Sequence, residues 1–447
     1  MRTIVALSTP TGESAIGVIR LSGSKVMQIA TDVFSKQLKP RYAHRVAYKN
    51  LNGDILDDAV ATYFKAPASY TGEDCLEIAT HGNPFIIQSI ISDLIARGAE
   101  PAQAGEFTRK AFENGKIDLS QAEAVALLIQ ARSTRSLKAA QKQLSGELGK
   151  RINNMSEKLL DALALMEAYI DFPEDDLPAE DQNVIISAIE SCTKNMSALI
   201  ETAKFSPLVH QGIDIVIAGA PNAGKSSLLN LLLDDERAIV SDIAGTTRDF
   251  ISEKTSIDGF AVNLTDTAGL RGSSDKLEAI GIDRARAKIS GCDICLFVVD
   301  VANPNLTEFD TNKLLPENTI IVINKCDIQS ANPSVVSQQF DKYICVNVSC
   351  ATQSGAIELR NAISKLINTY HITAVADDIL VSARHAQSLQ TALNYCNEAV
   401  LSAKNNAAAE LTASDIREAL NALGDIVGKT DNEAVLDRIF SKFCIGK

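Results

Sequence analysis

Residues 213–226 read Ile-Asp-Ile-Val-Ile-Ala-Gly-Ala-Pro-Asn-Ala-Gly-Lys-Ser, an apolar run that ends in Gly219-Ala220-Pro221-Asn222-Ala223-Gly224-Lys225-Ser226 and enters the helical pattern of 227–233. This is the spacing of a P-loop: glycines let backbone N–H groups curl round phosphates, and the helix N-terminus adds a positive dipole. Lys225 neutralises the outer phosphates, and the Ser226 hydroxyl is placed to ligate magnesium. Downstream the pattern alternates strand and helix, with strands expected at 213–219, 262–265, 294–300, 319–324 and 344–348. Such alternation implies a doubly wound parallel sheet.

The base is named by Asn324-Lys325-Cys326-Asp327, which directly follows an apolar strand. A carboxylate at Asp327 accepts two hydrogen bonds from the ring N–H and exocyclic amine of guanine, groups that adenine does not offer. The nucleotide expected is therefore GTP. Asp266-Thr267-Ala268-Gly269 ends another strand and supplies an acid for the magnesium shell and a glycine able to sense the terminal phosphate. Thr247, within Gly245-Thr246-Thr247-Arg248-Asp249, is the switch threonine expected to close over magnesium, and Ser349-Cys350-Ala351 lies where a loop would brush the guanine ring. The residue after Gly269 is Leu270, so the glutamine that orients water in many small GTPases is absent. Glu278, in the helical pattern 275–289, is near enough in sequence to serve instead, and a solvent-facing glutamate is the alternative.

Working outward, residues before about 116 mix short alternating runs, such as 18–21 and 59–64, with Gly and Pro punctuation, an α+β pattern. At Ser120 the pattern turns helical, and Ser120 with Glu123 fits a capping box. Leu148, Ile152, Met155, Leu159, Leu163, Met166 and Ile170 then form an apolar stripe facing a bundle, until the Phe172-Pro173-Glu174-Asp175-Asp176 stop. Helices return over 380–401 and 414–427. Helical segments on both sides of the α/β stretch suggest one helical domain split by an insertion.

The 447 residues carry a net charge of −13, which argues against coating of nucleic acid by bulk electrostatics and leaves room for a local basic face. Arg132, Arg135, Lys138 and Lys142 are candidates for such a face, toward nucleic acid or a protein, with a solvated surface as the alternative. Nine scattered cysteines fit a reducing compartment, and the close pair Cys292 and Cys295 reads as strand packing. The first residues enter a strand pattern with no basic-then-apolar leader, and no stretch is long and apolar enough to span a bilayer. A cytoplasmic protein with no membrane association is expected.

Residues 219–227, 245–249 and 266–270, with Leu277-Glu278-Ala279-Ile280-Gly281-Ile282 and the terminal Phe443-Cys444-Ile445-Gly446-Lys447, resemble the MnmE/TrmE family of tRNA-modification GTPases. The runs 17–23, Tyr70-Thr71-Gly72-Glu73-Asp74, His81-Gly82 and 116–124 resemble it too, so the likeness covers essentially the whole chain. The resemblance implies a multidomain α+β and α/β protein: an N-terminal α+β folate-binding and dimerisation domain over 1–117, a helical domain over 118–209 and 374–447, and a Ras-like P-loop GTPase domain inserted at 210–373. It implies a homodimer that acts with an MnmG-like FAD partner to place an aminomethyl-type group on carbon five of a tRNA wobble uridine, the carbon coming from reduced folate.

Carried over position by position, the folate site is Arg20, Glu77, Lys116 and Lys447. Cations there suit the folate glutamate tail, and a carboxylate suits its pterin donors. Potassium is expected on Asn222, Ser241, Ile243 and Thr246, standing where an arginine finger would stabilise developing charge. Glu278 aligns with the water-positioning acid, and catalysis is expected from Glu278, Lys225 and Thr247. Magnesium falls to Ser226 and Thr247. Nucleotide contacts are expected from Asn222, Ala223, Gly224, Lys225, Ser226 and Ser227, then Ser241, Asp242, Ile243, Ala244, Gly245, Thr246 and Thr247. Asp266, Thr267, Ala268, Gly269, Asn324, Lys325, Asp327, Ser349, Cys350 and Ala351 complete that set.

This sequence departs from the family where Ser241 replaces a more usual threonine and where Ala351 lacks the usual basic side chain. Cys444 reads as a small buried side chain or as a thiol nucleophile. A GTP switch in ribosome assembly or RNA binding is the alternative function.

Overall fold

The structure is a computed structural model, and it describes residues 2–171, 179–233, 252–266, 288–289, 291–304, 314–328, 332–369, 379–405, 408–429, 433–441 and 443–446. Contacts divide the chain into two compact units, residues 1–129, 142–197 and 387–447 in one, and 130–141 with 198–386 in the other.

The first unit opens with a six-stranded sheet built from β1 (Ile4–Leu7), β2 (Ser14–Ser22), β3 (Ala43–Lys49), β4 (Ile55–Phe64), β5 (Cys75–Gly82) and β6 (Glu100–Pro101). Their order is β3-β4-β5-β2-β1-β6. All neighbours are antiparallel except β1 and β6, which run parallel. Strand alternation decides which face is core: Ile19, Leu21, Ala59, Ala61, Leu76 and Ile78 are buried in one apolar cluster with helices α1 (Val26–Phe34) and α2 (Pro84–Ala96). The alternate residues Val18, Arg20, Glu77 and Ala79 are half-buried on the opposite face.

After α3 (Glu106–Glu113) the chain turns helical, with α4 (Leu119–Gln130), α5 (Thr134–Leu144), α6 (Glu147–Asp171) and α7 (Ala179–Thr202), of which most of α5 and the end of α7 belong to the second unit. The predicted stripe on α6 is buried from Leu148 to Met166, while Ile170 is half-buried. The cap of α4 differs from expectation. Asp118 Oδ1 accepts from Gln121 N at 2.8 Å, and Gln121 Oε1 accepts from Asp118 N at 3.0 Å. The box is Asp118 with Gln121, two residues earlier than Ser120 with Glu123, because the Ser120 hydroxyl is spent on Asp118 Oδ1 at 2.6 Å.

The second unit holds a sheet of order β12-β11-β10-β7-β9-β8. Its strands are β7 (Ile213–Gly219), β8 (Ser252–Ile257), β9 (Phe260–Asp266), β10 (Ile294–Asp300), β11 (Thr319–Asn324) and β12 (Ile344–Asn347). All are parallel except the edge strand β8, which forms a hairpin with β9. Both faces are covered. Ile215, Ile217, Leu296, Val298, Ile320 and Val322 meet α9 (Lys225–Leu233) and α11 (Ala356–Thr369), and their strand neighbours Val216, Ala218, Phe297, Ile321 and Ile323 meet Val336 of α10 (Pro333–Gln339). The short helix α8 (Ser206–His210) precedes β7, and α12 (Ala383–Lys404), α13 (Ala409–Val427) and α14 (Glu433–Phe440) follow the sheet in sequence. Cys292 and Cys295 are buried in the second of these clusters. Among the described residues, no group of acidic, His or Cys side chains is arranged to hold a metal ion by itself, and no helix is long and apolar enough to cross a membrane.

Candidate functional site

Strand β7 stops at Gly219, whose backbone comes so close to β10 that a Cβ there would lie 2.3 Å from the Val298 carbonyl. The chain then turns through left-handed conformations at Asn222 (φ 61°) and Gly224 (φ 98°) before α9 begins at Lys225. Lys225 is 7% exposed, and its Nζ donates to the carbonyls of Gly219 at 3.1 Å and Ala220 at 2.8 Å. Ser226 Oγ donates to Asp266 Oδ2 at 2.7 Å, so the helix start and the end of β9 offer two hard oxygen ligands side by side.

Asn324, 2% exposed at the end of β11, braces this cradle. Its Nδ2 donates to the Ala223 carbonyl at 2.9 Å, and its Oδ1 accepts from Cys350 N at 3.2 Å. One side chain thus ties the phosphate loop to both base-side loops. Lys325, in a left-handed conformation at φ 67°, pairs with Asp300 at 2.6 Å. Asp327 accepts from Ser349 Oγ at 2.6 Å, and that hydroxyl holds its carboxyl below the ordinary carboxylate range. Burial pushes the Cys350 thiol up to about 11. Ser349 also forms an isolated bridge with Ser354, which shapes the turn carrying Ala351.

The structure therefore brings Asn222, Ala223, Gly224, Lys225, Ser226, Ser227, Asp266, Asn324, Lys325, Asp327, Ser349, Cys350 and Ala351 to the same end of one sheet. Ser241, Asp242, Ile243, Ala244, Gly245, Thr246, Thr247, Thr267, Ala268, Gly269 and Glu278 lie outside the described residues, as does most of the expected helix 275–289.

In the other unit, Arg20 and Glu77 are register partners on β2 and β5, with Arg20 Nη2 2.8 Å from Glu77 Oε1. The Arg20 guanidinium stands 5.6 Å from the Tyr70 ring centroid and 5.7 Å from that of Phe107. Lys116 Nζ donates to the Pro67 carbonyl at 3.2 Å, and its side chain passes Gly72, so Arg20 and Lys116 flank the same 70–72 turn. Lys447 lies outside the described residues. Tyr70 and Phe107 are distant from Arg20 in sequence, and the one signal for either is Tyr70 at the head of the Tyr-Thr-Gly-Glu-Asp run. Cys444 is exposed, against the expectation of a buried side chain, because its neighbour Phe443 takes the buried position.

The basic stripe is partly consumed by structure. Arg135 donates from Nε to the Asp258 carbonyl at 3.2 Å and stacks 4.2 Å from the Phe260 centroid, and Lys142 lies 3.9 Å from Glu147.

A phosphate loop stands at the carboxyl edge of a doubly wound sheet, braced to a loop that carries an acceptor carboxylate. The fold and this loop pair place the chain among the P-loop guanine-nucleotide-binding proteins. Residues 119–444 match the family description "MnmE helical domain", and residues 3–116 match "GTP-binding protein TrmE N-terminus". Proteins called tRNA modification GTPase MnmE are 44% identical in Opitutus terrae over 449 residues (100% of this chain, 99% of that protein) and 42% identical in Aquifex aeolicus over 455 residues (99% of each). One from Akkermansia muciniphila is 40% identical over 451 residues, 100% of this chain and 99% of that protein. The chain belongs to the MnmE/TrmE family.

Proposed function

We propose that the chain hydrolyses GTP to drive a tRNA-modifying cycle, in which an MnmG-like FAD partner and a reduced-folate carbon build an aminomethyl-type group on carbon five of the wobble uridine. The observation that carries the nucleotide half is the Asn324 brace, which joins Ala223 of the phosphate loop to Cys350 beside Asp327. Within this division of labour, residues 210–373 act as the GTPase insert, 118–209 with 374–447 as the helical domain, and 1–117 as the folate and dimerisation domain.

Lys225 leaves the Gly219 and Ala220 carbonyls to meet the outer phosphates, and Asp327 holds the base. Ser226 with Asp266 fits a hard divalent cation by donor type, and Thr247 is assigned to the same ion. Asn222, the described member of the potassium set with Ser241, Ile243 and Thr246, stands on the phosphate loop in a strained left-handed conformation. When bound, the two cations would supply electrostatic stabilisation of charge developing on the transferred phosphoryl group. Glu278 is assigned to orient the attacking water. Arg20, Glu77 and Lys116 fit a ligand with a carboxylate tail and a flat donor-bearing ring, since a paired Arg and Glu stand beside the aromatic face of Tyr70. Lys447 is assigned to that site. The setting is cytoplasmic and the working form a homodimer.

GTP turnover measured in potassium and in sodium tests the cation assignment, with faster turnover expected in potassium; equal rates sink it. Binding calorimetry with reduced folate on the intact chain and on Arg20→Ala tests the other half. Absence of binding to the intact chain would leave the ribosome-assembly switch as the better account.

A further inference from the structure

Gly105 stands immediately before helix α3, in a left-handed conformation at φ 69°. A Cβ there would lie 2.8 Å from the Phe440 carbonyl and 3.1 Å from Phe443 Cβ, so the start of α3 is pressed against the end of α14 and the residues after it. The seam continues along the tail. Ile445 forms an antiparallel bridge with Ala104, and the Gly446 carbonyl accepts from Ser8 Oγ at 3.1 Å. A Cβ on Gly446 would stand 2.1 Å from the Leu7 carbonyl, and Phe443 joins a buried cluster with Phe440, Leu436 and Leu119. Residues 443–446 of the tail therefore lie beside β1, held by these contacts.

Helix α14 has eight residues, too few to persist without tertiary support. Beside the seam a cavity of about 790 Å³ opens, edged by Phe440 and Ala104 and lined mostly by charged groups that include Glu73, Lys110 and Arg109. Arg109 spans it. Its Nε donates to Glu113 at 2.8 Å, its Nη1 to Asp437 at 2.7 Å and its Nη2 to Glu433 at 2.5 Å. Glu433 and Asp437 are one turn apart on α14 and would repel each other without that guanidinium. All three nitrogen positions of the fork are used, an arrangement that a lysine cannot reproduce.

We propose that Arg109 is a positioning residue that clamps α14 to α3 and thereby fixes the C-terminal tail on the N-terminal sheet, in the place the modification site requires. The clamp stands on the contacts alone; its consequence for folate rests on the tail's membership of the site proposed above.

The test uses the full chain as Arg109→Ala and, separately, as the double variant Glu433→Gln with Asp437→Asn. Amide exchange of residues 443–446 is followed by mass spectrometry, reduced-folate affinity by calorimetry, and GTP affinity as a control. Both variants should exchange the tail amides at least tenfold faster and bind folate at least tenfold more weakly, with GTP affinity and exchange at Tyr48 and Tyr63 unchanged. Tail exchange equal to that of the unaltered chain in either variant overturns the clamp, as does equal acceleration at Tyr48 and Tyr63. A loosened tail with undiminished folate affinity overturns its functional role. Failure of the unaltered chain to bind folate would defeat the folate assignment instead, and the exchange rates would still decide the clamp.

Discussion

Asn324 Nδ2 reaches across from the end of β11 to the carbonyl of Ala223, 2.9 Å away in the phosphate loop, and the same amide takes a hydrogen bond from Cys350 N on its other atom. Asn324→Ala leaves that carbonyl and that N–H without their partner, at a cost of about 1–3 kcal/mol for unsatisfied buried groups. If the cost falls on preorganisation of the loop, GTP affinity drops roughly tenfold to a hundredfold. Calorimetry beside a urea melt separates the two losses. An unchanged Kd would mean that the nucleotide organises the loop by itself.

Gly224 sits under the same amide. A Cβ there would come within 2.1 Å of Asn324 Nδ2, and its φ of 98° disfavours any side chain. Gly224→Ala should therefore abolish measurable GTP binding. Gly53, at φ 89° with open space around it, is the control: Gly53→Ala should cost only backbone strain, about 1–2 kcal/mol, and leave GTP binding intact. Loss of binding in both would point to global destabilisation instead of the contact.

The strands of the GTPase unit were legible because they are covered on both faces: β10 and β11 are near-continuous apolar runs and β7 is one after Asp214, with Gly219 ending β7 and the Asn-Lys-x-Asp loop ending β11. The edge strand β8 was not, since Ser-Glu-Lys-Thr-Ser-Ile carries no apolar run, although Asp258-Gly259 between Ile257 and Phe260 is a hairpin signal. Both turn residues have positive φ, 52° and 76°, as that turn demands. The α4 cap was misplaced because Asp118-x-x-Gln121 and Ser120-x-x-Glu123 satisfy one pattern two residues apart, and only the hydroxyl's actual partner decides between them. At the site, the phosphate and base loops were readable as motifs. The brace by Asn324 and the Tyr70 face beside Arg20 arise from residues far apart in sequence, for which periodicity carries no information.

Ser349 is expected to set the acid limb of GTP affinity. Its hydroxyl is the leading cause that depresses the Asp327 carboxyl, so the acceptor form is present above the ordinary carboxylate range and is lost only as pH falls through the depressed value. Ser349→Ala returns that carboxyl toward its usual value, and the acid limb of GTP affinity should move to higher pH with the neutral plateau retained. Titration of a fluorescent GTP analogue across the acid range, with circular dichroism to verify folding, reads this directly. An unmoved limb would assign the loss to another group.

Arg135 offers a choice between a nucleic-acid contact and a structural cap. Its backbone N–H donates to the Gly259 carbonyl at 3.3 Å, its Nε to the Asp258 carbonyl at 3.2 Å, and its guanidinium lies 4.2 Å from the Phe260 centroid and 3.8 Å from the Asp258 carboxylate. Ser364 Oγ approaches the same carboxylate at 2.9 Å, so the hairpin turn is held from two elements. A guanidinium stacked on a buried ring and bonded at its edge has little left to give a phosphate. Arg135→Ala should destabilise the GTPase unit by about 1–2 kcal/mol, the sum expected of one cation–π contact and a hydrogen bond. It should lower tRNA affinity no more than an alanine at an unrelated exposed lysine does. Urea melts of the nucleotide-free chain and filter binding with tRNA at fixed salt measure both, and a variant of full stability with tRNA affinity down tenfold would return Arg135 to the nucleic-acid face.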